Sequence, residues 1–327
     1  MNLPPTLSQF LIKELTSHPE RDGLVAIMSD LATIGKIISN HTNRAGLAGI
    51  LGAANKTNVQ DEQVQKLDEF CNDLCKNYLR QTGNFAAMAS EEEDGVVDMG
   101  EDGKDAKYVI AFDPLDGSAN IDVNLSVGTI FSVNKLLPEL ARNDERQFFQ
   151  PGRDQVLAGY VLYSASTMIV FSWGNGVYEF TLDQGLGEFF LSREKMMIPD
   201  VCKIYSFNEG NFKYLSGRDQ KFIEYLRNEL KCDCRYVSAM VADIHRNLIK
   251  GGVFILGATD KKGMGEFKPK LRLNYEAKPM AYLAEQAGGA STDGEVSLLD
   301  IAGESLHQRV PVFIGNKDII DHYLKIN

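Results

Sequence analysis

Apolar residues recur every three or four positions in two stretches near the start of the chain, about Leu7–Thr16 and Leu24–Asn40. In the second, Leu24, Ile27, Met28, Leu31, Ile34, Ile37 and Ile38 form one stripe, the mark of an amphipathic helix. The pattern returns over Gln63–Arg80, with Val64, Leu67, Cys71, Leu74, Cys75 and Tyr78 in line. Asp68 falls on the rim of that stripe, where a carboxylate is solvated, paired or metal-bound. The period then shortens. Runs at Tyr108–Phe112, Ser126–Val133, Val156–Tyr163, Met168–Ser172 and Gly176–Phe180, broken by Gly, Pro and Asn, predict strands. Pro114 is expected to stop the first of them. Gly46–Asn55 has no clear period and reads either as a mobile loop or as small residues packed on a neighbour, and 142–154 reads as a polar loop.

Around Leu191–Asp200 the chain turns polar, which places a domain boundary there and divides it into 1–195 and 196–327. The second part alternates. Strands are expected at Lys203–Phe207, Val253–Leu256 and Val310–Ile314, and helices at Asp219–Leu230, Ser238–Lys250, Tyr275–Gln286 and Asp318–Lys325. Alternation of this kind predicts an α/β (layered α+β) architecture.

The chain has 327 residues, enough for two domains. Its net charge of −11 disfavours nucleic acid and anionic membrane as partners. It also repels a phosphorylated ligand, so a phosphate site would need its own cations. No apolar run approaches the roughly 18 residues that span a bilayer. Neither a secretory leader nor a peroxisomal address is visible, so the expected location is the cytoplasm, with a specialised organelle left open. The five cysteines have no zinc-type spacing, which fits reduced thiols.

Residues 113–122 read Asp-Pro-Leu-Asp-Gly-Ser-Ala-Asn-Ile-Asp. Three carboxylates this close repel one another unless water or a hard cation separates them. Gly117-Ser118-Ala119-Asn120 adds small residues whose backbone N–H groups can approach an anion. The sharp reading is a divalent metal beside a phosphate; the plain one is an acidic turn after a strand. Glu91-Glu92-Glu93-Asp94 follows the apolar run Phe85–Ala89, either as a solvated charge run or as a second acidic strand end beside the first. Glu276 is either a first-turn helix acid or a further ligand. Phosphate monoesters resist water so strongly that the rate enhancement required is of order 10²¹ at the extreme. One general base supplies only ~10²–10⁴, which favours metal assistance.

The Asp113–Ser118 run resembles the metal-binding signature of metal-dependent, lithium-sensitive sugar and inositol phosphatases. Over nearly its full length the chain is similar to class I fructose-1,6-bisphosphatases. The landmarks are Gln63–Asp68, Ser90-Glu91-Glu92, Lys107-Tyr108, Phe112–Ser118, Gly128–Phe131, Gln150–Arg153, Tyr205–Gly210, Arg235-Tyr236-Val237, Met240–Asp243 and Lys270–Glu276.

The resemblance implies the sugar-phosphatase fold and two or three Mg²⁺ (or Mn²⁺) ions per subunit. Their ligands would be Glu91, Glu92, Asp113, the Leu115 carbonyl, Asp116 and Glu276. It casts Asp68 with Glu92 as acceptors of the water proton and Glu62 as a further acid of the metal loop. Gly117 and Ser118 would cradle the 1-phosphate, while Asn208, Tyr236 and Lys270 would contact sugar and 6-phosphate. Arg235 would reach a neighbouring subunit's site in the homotetramer that the resemblance implies. Leu11, Glu14, Lys107, Tyr108 and Lys135 would bind AMP as an inhibitor. Singly, Lys270 and Arg235 would be surface cations in most proteins. Ala119 stands where the family often has a second Ser, which removes a hydroxyl beside the signature; Leu256 replaces one Tyr and Asn211 and Phe212 another, so fewer phenol groups would bind the 6-phosphate. The activity expected is removal of the 1-phosphate from fructose 1,6-bisphosphate in gluconeogenesis. Sedoheptulose 1,7-bisphosphate is the alternative substrate, and a silent sugar-phosphate or AMP binder is the alternative class.

Overall fold

The computed structural model describes residues 3–44, 53–57 and 63–326, the segments 53–57 and 63–65 through their backbone alone. Helices Leu7–Ser17 and Asp22–Thr42 open the chain. The first starts at a capping box, Thr6 with Gln9, that satisfies two otherwise orphaned donors. Strands β1 (Ala53–Thr57) and β2 (Gln63–Gln65) pair with each other and lead into helix Lys66–Thr82. Then come β3 (Phe85–Ser90), β4 (Val97–Asp98), β5 (Tyr108–Asp116), β6 (Val127–Lys135), β7 (Gln155–Tyr163), β8 (Thr167–Ser172), β9 (Tyr178–Asp183) and β10 (Glu188–Arg193). These form an eight-stranded sheet in the order β10-β9-β8-β7-β6-β5-β3-β4. It is antiparallel except where β3 and β5 run side by side in parallel.

The second part holds β11 (Ile204–Ser206), β12 (Asp233–Cys234), β13 (Gly252–Leu256), β14 (Ala290–Thr292) and β15 (Val312–Gly315), a five-stranded sheet in the order β12-β11-β13-β15-β14. Helices Met240–Lys250 and Lys278–Gln286 lie between the two sheets, helices Gly217–Glu224 and Lys317–Tyr323 on the far side of the second. The molecule is therefore built in alternating layers of helix and sheet. One apolar core joins the first three long helices to the large sheet, and another joins that sheet to the middle helices. The middle layer packs closely. A Cβ on Gly128 would sit 2.7 Å from Val241 and 2.5 Å from the Val161 carbonyl, so only glycine lets the helix Met240–Lys250 approach β6.

Most of the expected stripe of the second helix is buried: Leu24, Ile27, Met28, Leu31, Ile34 and Ile38 face the core, while Ile37 is half-buried, as are Leu74 and Tyr78 of the third stripe. Several expectations need correction. Pro114 does not end β5, which runs on to Asp116. Pairing with β6 slips between Asp113 and Asp116, since proline offers no N–H to the ladder, and the Pro114 carbonyl accepts instead from the Thr129 hydroxyl at 2.9 Å. Gln63–Gln65 are strand rather than the start of the following helix. Ala53–Asn55 belong to β1 rather than a loop, and the rest of the stretch from Gly46 lies outside the described residues. Strands β10 and β14 carried no signal that was read in the sequence. The expected helices near 219–230 and 275–286 each contain a wide π-helical turn, over Tyr225–Glu229 and Leu273–Ala277.

Candidate active site

Parallel pairing of β3 and β5 sets Ser90 beside Phe112, so the acidic run after β3 and the acidic last residues of β5 lie at the same end of the two strands. The π-helical turn Leu273–Ala277 brings Glu276 in from the second part of the chain, a placement in which such turns recur at functional sites. Asp113, Asp116 and Glu276 thereby offer carboxylate oxygens that all lie within 4.8 Å of one another, each residue buried. They line a cleft of about 300 Å³ together with Glu91, Glu92, Leu115, Gly117, Ser118, Tyr236, Ser238, Met240, Leu256, Lys270 and Arg272.

Each carboxylate is aimed by the backbone. The Leu115 N–H donates to Asp113 Oδ1 at 2.9 Å, closing a turn at the end of β5. The Val241 N–H donates to Asp116 Oδ2 at 2.8 Å, so Asp116 caps the helix Met240–Lys250, whose own N-cap residue Ala239 has no capping side chain. The Arg272 N–H donates to Glu276 Oε2 at 2.7 Å. Arg272 also forms a buried ion pair with Glu91. Gly117 has φ 79°, and a Cβ there would lie 2.5 Å from that of Ala239, so the turn after Asp116 requires glycine.

Burial crowds these acids into their protonated forms. It pushes Glu276 up to about 8, with Arg272 opposing and Glu91 adding to the rise. Asp116 rises to about 6, again by burial, against the N–H groups of Val241 and Met240. Asp113 is driven far above the carboxylate range by burial and then by Glu91, Glu276 and Asp116. A set of oxygen-only donors with so little positive charge among them fits a hard divalent cation, which would let Asp113 and Glu276 ionise beside Asp116 at neutral pH.

Not every expected residue meets here. Glu93 turns away to Lys76 at 2.5 Å and Asn72 at 2.7 Å, and Asp94 is exposed. Asp68 is buried in helix Lys66–Thr82, outside the cleft lining, and its charge and that of Asp113 both act on Cys71. Asn208 and Arg235 are exposed outside the lining; Asn208 caps the turn after it, and Arg235 pairs with Asp233 at 3.3 Å. Glu62 lies outside the described residues. At the opposite end of β5, Tyr108 pairs in register with Lys135 beside exposed Lys107, and its ring packs on Gly23. Leu11 is in the core and Glu14 is paired with Arg21 at 2.6 Å. Arg272 was given no role from sequence; an arginine four positions before a buried acid was the available signal.

Family models for fructose-1-6-bisphosphatase match this chain over residues 5–194 (N-terminal domain) and 198–327 (C-terminal domain). A class 1 fructose-1,6-bisphosphatase of Sulfurihydrogenibium sp. is 50% identical over 317 residues, covering 95% of this chain and 94% of its own. Another, of Persephonella marina, is 47% identical over 321 residues, covering 98% and 97%. The crystal structure of Leishmania major fructose-1,6-bisphosphatase in holo form superposes with a TM-score of 0.90 at 37% identity, covering 99% of this chain and 98% of that one. The apo form gives 0.84 at 36% identity, covering 98% of each chain.

Proposed function

This chain belongs to the class 1 fructose-1,6-bisphosphatase family, and we propose that it hydrolyses the 1-phosphate of fructose 1,6-bisphosphate in the acidic cleft, using Mg²⁺ or Mn²⁺. The observation that carries this reading is the meeting of Asp113, Asp116 and Glu276 beside the Gly117–Ser118 backbone in a member of a phosphatase family. Glu91, Glu92 and the Leu115 carbonyl complete the ligand set for two or three ions. A bound divalent ion would neutralise phosphoryl oxygens and acidify an attacking water.

The chain's own groups do the rest. Gly117 and Ser118 hold the 1-phosphate, and Lys270 on the cleft rim offsets the second one. Glu92, with Asp68 behind it, accepts the proton of the water; Glu62 serves the same loop. Tyr236 orients the sugar, Asn208 meets the 6-phosphate, and Arg235 crosses to a neighbouring subunit of a homotetramer. The 1–195 part would bind AMP through Glu14, Lys107, Tyr108 and Lys135, with Leu11 beneath them, and 196–327 would hold the sugar. Among the described residues no helix is long and apolar enough to cross a membrane.

Phosphate release from fructose 1,6-bisphosphate, measured across Mg²⁺ and Mn²⁺ and again with EDTA, tests the reading. Turnover that survives chelation would sink it. Leu256 in the cleft lining offers no hydroxyl, which keeps sedoheptulose 1,7-bisphosphate as a second substrate. Side-by-side kcat/KM values separate the two. Saturating AMP that leaves both activity and melting temperature unchanged would remove the regulatory part.

A further inference from the structure

The cleft wall opposite the acids is the segment Tyr236–Met240, and its shape is imposed from behind. Ser238 stands at φ 68°, the left-handed region that serine rarely enters. Tyr236, Ser238 and Met240 line the cleft, and Tyr236, Val237 and Met240 also pack on the core of the middle layer. Something must hold that turn against the strain.

Asp243, fully buried on the helix Met240–Lys250, accepts from Val237 N–H at 3.0 and 3.1 Å and from Ser238 N–H at 3.2 Å. Arg246 Nη2, one turn on, donates to Asp243 Oδ1 at 2.5 Å, to the Arg235 carbonyl at 2.6 Å and to Ser206 Oγ at 2.9 Å. Asn120 Nδ2 takes the Val237 carbonyl at 3.0 Å. Every backbone polar group named is thus bound by a residue outside the cleft lining.

We propose that Asp243, braced by Arg246, is a positioning residue for the substrate: it splints the left-handed turn so that Tyr236 and Ser238 face the cleft. It has no place among the cleft-lining groups and acts on the substrate through that turn, although its charge is also felt at Asp116. The inference rests on the phosphatase reading above. It predicts an effect on recognition of the sugar bisphosphate rather than on the metal ligands, because Asp116 is held by a different N–H, that of Val241.

Asp243→Asn puts an amide where the two N–H groups and Arg246 all need acceptors, so one donor must face another. Steady-state kinetics on fructose 1,6-bisphosphate should show KM raised about tenfold or more, with kcat within about threefold and the Mg²⁺ midpoint within about twofold. Arg246→Gln should move KM the same way by a smaller factor, and it carries the test if Asp243→Asn fails to fold. An unchanged KM in a folded variant overturns the proposal. So does a Mg²⁺ midpoint that shifts as far as KM, since that would make Asp243 part of the metal site. A wild type that releases no phosphate from fructose 1,6-bisphosphate would overturn the phosphatase reading itself, and this inference with it.

Discussion

Two clusters of buried charge lie in this molecule, and they are built on opposite terms. In the cleft, Asp113, Asp116 and Glu276 converge with Glu91, and Arg272 is the cation paired into them. Between the large sheet and the helix Met240–Lys250, Glu179 is fully buried but receives Arg193 Nη1 on both oxygens, at 2.6 and 2.8 Å. His245 stands 3.9 Å from the same carboxylate and shares a 2.8 Å hydrogen bond with Tyr160. The second cluster is balanced and needs nothing from outside. The first is short of positive charge, and burial keeps part of it protonated until a ligand supplies that charge. A buried imbalance of charge marks a working site more reliably than burial of charge alone.

The comparison breaks most sharply at Asp116. Asp116→Asn removes charge from the unbalanced cluster, and we expect turnover to fall by at least ~10²-fold with the protein still folded. A change under tenfold would erase the distinction. Arg193→Met unbalances the second cluster, leaving Glu179 without its partner. Urea unfolding should then show a loss of roughly 2–3 kcal/mol, below the range for fully buried pairs because Arg193 is partly exposed, while turnover stays within about threefold.

Magnesium should raise the melting temperature by a few degrees when present at about a hundred times its dissociation constant, and EDTA should reverse this. Asp113→Asn should weaken the response, whereas Arg193→Met should leave it intact. The pH response sharpens the contrast further. Burial, then the Arg193 charge, lowers His245 to about 4. The unfolded chain therefore binds a proton that the folded chain does not, and stability present above about pH 6.5 is lost as pH falls toward 4. His245 would contribute about 2–3 kcal/mol of that loss, and His245→Gln should flatten the melting curve over this window.

Periodicity disclosed much of this architecture. The stripe of Leu24–Ile38 needed no tertiary information, because a helix that buries one face writes it at fixed spacing. Strands β10 and β14 were missed because the first is half-exposed and mixed in polarity and the second is three residues long. Of the cleft, the Asp113–Ser118 run was conspicuous, since repelling acids in one turn demand an explanation. Glu276 was harder. A lone acid in a helical pattern looks like a helix-start residue until a π-helical turn carries it inward, and no local rule announces that turn. Asp243 stands in the sequence only within the Met240–Asp243 landmark, and neither it nor Arg246 shows a role there, because their partners are largely backbone groups fixed by the fold.

One feature of the middle layer reaches beyond chemistry. The helix beginning at Met240 borrows the oxygen that caps its Val241 N–H from Asp116, 125 positions before Val241 in the chain. A 198–327 fragment made by itself would therefore fray at that end, and a hybrid enzyme joined near position 195 from two parents would need both to agree about a single amide and a single carboxylate. The seam between the two family segments is easy to cut in the gene and hard to cut in the protein.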